Sequence, residues 1–138
     1  MPSAVLLVTV IASGIIYHLA QKLAVAPTPW LMLAIAYTTA LALTIGLAIA
    51  NGDATRLPSR AEWLGGLLIG LAAFGIEAGF FYLYRSGWPL ASASVIASVS
   101  VTAILAIVGI VVFGEQMTAS RAVGLALAAS GATLIVRG

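Results

Sequence analysis

Long apolar runs alternate along the chain with brief polar breaks. The clearest run covers residues 63–84, WLGGLLIGLAAFGIEAGFFYLY, and carries a single formal charge, Glu77. A bilayer core of ~30 Å takes about 20 apolar residues at ~1.5 Å rise each, so this run predicts a membrane-spanning helix. Four further runs of the same grade bring the total to five transmembrane helices, at about 4–25, 30–50, 60–84, 89–113 and 119–136. The expected fold is all-α and polytopic, with 1–138 forming one transmembrane domain.

The breaks carry their own signals. Pro27 and Pro29 cannot continue a helical ladder, so they separate the first two helices. Residues 51–61 make the only long polar loop. Ser59 followed by Glu62 forms a capping box that starts the third helix near Arg60. Trp63 then falls where an interfacial aromatic anchor belongs. Arg85-Ser86-Gly87 reads as a tight turn, and Trp88-Pro89 opens the fourth helix with proline in its first turn. Thr118 is the expected N-cap of the fifth. Met1-Pro2-Ser3 lacks the positive region of a signal peptide, so the first run is expected to stay as a helix.

Polar residues inside the runs are few and patterned. In the first helix Thr9, Ser13, Tyr17 and Gln21 recur every fourth residue, beside a row of Gly14, His18 and Lys22. Residues so spaced share a face, and a polar face should avoid lipid. Two readings stay open: the stripe lines a wet cavity, or it bonds to other helices while Lys22 snorkels to the interface. The second helix, with Tyr37, Thr38, Thr39 and Thr44, reads as packing and lipid contact. In the third, Gly66-xxx-Gly70 and Gly75-xxx-Gly79 predict close approach of another helix, with Glu77 buried in the bundle. Ser94, Ser98 and Thr102 share one face of the fourth, leaving close packing or room for a ligand. Gly124, Ala128 and Gly131 give the fifth a small face.

Composition narrows the function classes. The chain is 62% hydrophobic and 7% charged, against about 25% charged residues in soluble domains. Six Lys/Arg make no basic patch, so no nucleic-acid partner is expected. With no cysteine there are no disulfides or thiolate metal sites, and neither metal nor other cofactor is expected. Nucleophile motifs, HExxH and paired carboxylates are missing, so the chain does not read as an enzyme. Five spans put the ends on opposite sides of the membrane. Arg56, Arg60 and Arg121 then fall on the N-terminal side, and Lys22, Arg85 and Arg137 on the other. An even split gives the positive-inside rule nothing to act on and permits insertion both ways, as an antiparallel homodimer requires. The other reading is that six charges are too few to show a bias.

Glu77 is the candidate for chemistry. A carboxyl at membrane depth costs several kcal/mol unless it is paired, hydrated or protonated. Measured along parallel helices, Glu77 and His18 lie ~6 Å off the midplane on the same side, which allows a direct or water-bridged contact. A carboxylate there is a candidate proton-coupling group. The alternative is a protonated Glu77 donating to a helix backbone.

Several short motifs carry a resemblance. Phe80-Phe81-Tyr82-Leu83-Tyr84 before a turn, Gly114-Glu115 with Thr118, Arg121 and Gly124, then Gly131, and more weakly Gly14 with Lys22, resemble the EamA-type domain of the drug/metabolite transporter superfamily. The resemblance covers nearly the whole chain, most strongly its C-terminal half. It implies one five-helix half of a transporter, completed by an antiparallel, inverted homodimer. The small multidrug resistance proteins are similar, but have four helices and a glutamate in the first. Ser13 stands at that point here, which points away from multidrug-cation antiport.

The resulting expectation is a secondary transporter of a small metabolite or drug-like solute in the cell (plasma or inner) membrane. Glu77 would switch charge with His18 as proton partner. Ser13, Tyr17, Gln21, Ser94 and Ser98 would hydrogen-bond the substrate, and Phe81 and Tyr84 would shape the pocket. The alternative is a non-transporting membrane subunit that assembles with a partner membrane protein.

Overall fold

A computed structural model describes residues 3–24 and 28–138. Five helices account for most of them: α1 (Ser3–Leu23), α2 (Pro29–Ala50), α3 (Arg60–Arg85), α4 (Leu90–Phe113) and α5 (Ala119–Arg137). All five are long and apolar enough to cross a membrane, as a multi-pass membrane protein requires. α1 ends at Leu23, short of the expected end at Val25, and the described Ala24 is already outside the helix; Val25, and Ala26 and Pro27 of the first break, lie outside the described residues.

Helix ends follow the chemistry of their caps. Ser59 and Glu62 exchange the two bonds of a capping box: the Ser59 N–H donates to Glu62 Oε2 at 2.8 Å, and the Glu62 N–H to Ser59 Oγ at 3.3 Å. Arg56 reaches over this cap and grips both Glu62 oxygens, one at 3.0 Å. Thr118 caps α5, its hydroxyl accepting from the Arg121 N–H at 3.3 Å. α2 begins at Pro29, one residue earlier than expected, because proline at the first helical position has no N–H to leave unpaired. α4 begins one residue later than expected. Pro89 is its cap and not part of its first turn, since ψ 145° keeps it extended while its carbonyl accepts from Ala93 at 3.1 Å.

The α3–α4 turn depends on Gly87 at φ 93°, where a side chain would be strained. The Gly87 N–H donates to the Tyr84 carbonyl at 3.1 Å and the Trp88 N–H to that of Leu83 at 3.2 Å, the paired bonds of a Schellman motif. The polar loop is less irregular than its composition suggests. Gly52, at φ 79°, leads into a 3-10 turn at Asp53–Thr55, which Thr55 closes through its hydroxyl onto the Gly52 carbonyl at 2.8 Å.

The chain divides into two compact units, Leu23–Tyr82 and the residues on either side of it. In the first, Leu33 and Phe81 are buried, at 3% exposure each, and Trp30 of α2 stacks on Phe74 of α3, centroids 6.1 Å apart. In the second, α4 and α5 pack closely along small residues, with Ala93, Gly109 and Ala132 buried. The glycines of α3 expected at a close helix contact have no such neighbour among the described residues. A Cβ at Gly66, Gly70, Gly75 or Gly79 would meet nothing within 4 Å, so these glycine faces stay open. Large apolar side chains stand uncovered on every helix, among them Leu31, Leu71, Val111 and Leu134. Hydrocarbon solvates such faces, so they need no protein core to cover them.

Replacing Ser59 with alanine removes the acceptor for the Glu62 N–H. The cap's worth of ~1 kcal/mol predicts about fivefold faster amide exchange at Glu62, with α3 otherwise intact. Unchanged protection there would show that the cap contributes nothing.

Candidate functional site

Two groups of polar side chains lie at membrane depth, one in each unit. The first is built on the last two turns of α1. Residues 17, 18, 21 and 22 share a face there, and Tyr84 at the end of α3 meets them. The Tyr84 hydroxyl and His18 Nδ1 are 2.9 Å apart, with the tautomer deciding which donates. Tyr17 sets its ring edge-on to His18, centroids 5.0 Å apart. Lys22 Nζ lies 5.7 Å from the Tyr84 ring centre, a cation–π distance, and donates to the Trp88 carbonyl at 3.1 Å. Gln21 is buried at 7% exposure and Tyr84 at 5%.

That arrangement depends on the Gly87 turn, which directs the Trp88 carbonyl back toward α1. Lys22 therefore places its charge at the end of the span, as snorkelling requires. Tyr17, His18, Gln21 and Tyr84, all expected at the site, meet in this group. Ser13 lies on the exposed surface of α1. The Ser94 and Ser98 hydroxyls donate to carbonyls of their own helix, Ser94 to Leu90 at 2.9 Å and Ser98 to Val95 at 3.1 Å. Only their lone pairs remain for a ligand.

The second group surrounds Glu77. Tyr37 of α2 is its neighbour, near enough for charge and hydroxyl to interact. The Tyr37 oxygen is buried and stops short of regular hydrogen-bond geometry with any described protein atom. Trp30, seven residues before Tyr37 and on the same face of α2, contacts Phe74 and meets the edge of Tyr82 at 6.3 Å. Phe81 packs against Tyr82, rings nearly perpendicular at 5.6 Å. Glu77 is half-buried.

Tyr37 and Trp30 went unassigned in the sequence, though depth marks Tyr37, alongside His18, as a candidate neighbour of Glu77. Tyr37 lies eight residues in from Pro29, and Glu77 lies eight before Arg85, at the same face of the membrane. Each is then ~12 Å from that end of its helix. His18 is paired with Tyr84 in its own unit, and Glu77 keeps company with Tyr37 in the other. Among the described residues, no three His, Asp or Glu side chains come together as a metal ion would need.

A comparison with known proteins returned no match, whether to a family model, a curated protein or a solved structure.

Tyr84→Phe deletes the hydroxyl facing His18 and leaves the ring on Lys22. The expected cost is ~1 kcal/mol in unfolding from micelles, the usual net worth of one hydrogen bond. The His18 Nδ1 resonance should move with it; an unmoved resonance would show that the contact is not made in solution.

Proposed function

We propose that the chain is a secondary transporter of a small solute, working by alternating access as an antiparallel homodimer in the cell membrane. The observation that carries this reading is Glu77, a carboxyl well inside a span and beside the Tyr37 hydroxyl. A carboxyl in such company can take up and release a proton as its surroundings open to either side, which a coupled carrier needs. Nothing in the proposed cycle calls for an enzyme's chemistry. Tyr37 joins Glu77 as the group that senses its charge. The Tyr17–His18–Gln21–Tyr84 group offers donors and acceptors to a solute. The even spread of Lys/Arg over the two sides favours the inverted pair, and the EamA-type resemblance supplies the same architecture.

The uncovered faces of every span also suit a membrane subunit that completes a larger assembly. Stable co-purification with another membrane protein, and no solute-dependent change in stability, would favour that reading.

In proteoliposomes, Glu77→Gln should reduce proton-driven uptake by about 5- to 150-fold, the range of a 1–3 kcal/mol coupling energy. Tyr37→Phe should shift the pH profile of uptake with a smaller loss of rate. Undiminished, still pH-dependent flux in Glu77→Gln would remove the carboxyl from the mechanism. A cysteine introduced at Asp53, in the loop between α2 and α3, should react with an impermeant maleimide from both sides of the membrane in comparable amounts. Labelling from one side alone would rule out the inverted dimer.

A further inference from the structure

Between α4 and α5 runs a groove of about 670 Å³, within the 300–1,000 Å³ of small-molecule sites. Thr102, Leu105, Gly109 and Phe113 line it on α4, and Gly124 and Ala128 on α5. Glu115 and Arg121 complete the lining, Glu115 in the connecting loop and Arg121 in the first turn of α5. We propose that this groove is a phospholipid site. It holds one acyl chain between α4 and α5 and an ethanolamine headgroup at the loop end, with phosphate on Arg121 and ammonium on Glu115. The inference does not rest on transport.

Length is the first argument. From Phe113 back to Thr102 is eleven residues of α4, about 16 Å along the helix axis, which matches one leaflet of a ~30 Å hydrocarbon core. The groove thus begins at the interface and ends near the midplane, as a single acyl chain does.

Charge complementarity is the second. Arg121 donates from Nη1 to the Gln116 carbonyl at 3.1 Å, which fixes the guanidinium beside the loop. The Glu115 carboxylate folds back over α4 and rests where Gly109 has no side chain, its Oε2 3.0 Å from the place of a Cβ. Although both line one groove, no ion pair joins these two described residues. A cation held at the loop and a carboxylate beside it that it does not neutralise match the two charges of a zwitterion. A guanidinium suits phosphate through its fork of N–H donors. A carboxylate accepts hydrogen bonds from a primary ammonium, which a quaternary one cannot donate, and a glycerol headgroup offers it no cation at all. Phosphatidylethanolamine is therefore favoured over phosphatidylcholine and phosphatidylglycerol.

Native mass spectrometry of the full chain, released from micelles containing the three lipids with identical acyl chains, tests this. Phosphatidylethanolamine should be retained at least about threefold over either competitor, a difference of ~0.65 kcal/mol. Glu115→Gln should erase its advantage over phosphatidylcholine, and Arg121→Gln should weaken retention of all three. Gly124→Leu should remove retention, because its side chain enters the groove where a Cβ meets nothing within 4 Å. Equal retention of the three lipids by the parent chain, or parent-like retention in Gly124→Leu, would overturn the proposal. If Gly124→Leu does not fold, the loop variant Glu115→Gln decides alone, and an unaltered ethanolamine preference there overturns it.

Discussion

Hydrocarbon offers a polar group no water, so every donor within a span must find its acceptor in protein, at a cost of several kcal/mol if it fails. This chain meets the requirement mostly inside single helices. Thr9, Thr38, Thr39, Thr44, Thr102 and Ser130 each donate to the carbonyl four residues back, at 2.7–2.9 Å. A hydroxyl bonded in this way asks nothing of its neighbours, and all six residues stay exposed. Side chains too long or too rigid to reach back behave differently. Tyr17, His18, Gln21, Lys22, Tyr37, Glu77 and Tyr84 are every one buried or half-buried. Burial separates these two sets, with Ser94, half-buried yet bonded to the Leu90 carbonyl, and the exposed Tyr82 falling outside the division.

Charge obeys the same constraint at a larger scale. Arg56 and Glu62 pair at the head of α3, Lys22 ends on the Trp88 carbonyl, and Arg121 ends on that of Gln116. Each sits within a turn or so of a helix end, where water and headgroups are close. Glu77 alone is placed well inside a span. Its neighbour is a phenol, which can donate to a carboxylate and accept from a carboxylic acid, so the pair tolerates either protonation state. A lysine or arginine in Tyr37's place would have held the proton off, and an alanine would have left the charge without support.

The spans, their order and most of their caps were legible because each is written locally: an apolar run of fixed length, Ser59 three residues before Glu62, Thr118 before α5. Boundaries moved by one or two residues; at Pro29 and Pro89 the reason is that proline's fixed φ suits either side of a helix start. The partners of Glu77 and His18 were less legible. Depth matching fits both His18 and Tyr37 to Glu77, and Tyr37 is the one that shares its compact unit. The glycine repeats of α3 are a signal of the same permissive kind. Gly66 and Gly70 permit a close helix neighbour, but permission is not attraction, and among the described residues none comes within 4 Å of a Cβ there.

Between α4 and α5, by contrast, small residues do bring helices together, and they show why contact and vacancy occur side by side. Without a hydrophobic drive inside lipid, helices associate through close van der Waals fit, which small side chains allow. At Ala132 of α5 that fit is achieved and the residue is buried. Further along α5, Gly124 and Ala128 continue the same small face, but here it borders the groove. The facing stretch of α4 is small at Ala106 and Gly109 as well, and there the space between the helices stays open despite Leu105 and Phe113 beside it. Glu115 occupies part of that space from the loop, and a flexible charged side chain is a poor filler for an apolar groove. A sequence that meant α4 and α5 to seal along their full length would place leucine at Gly109 or Gly124. The glycines there keep the groove open to the lipid phase.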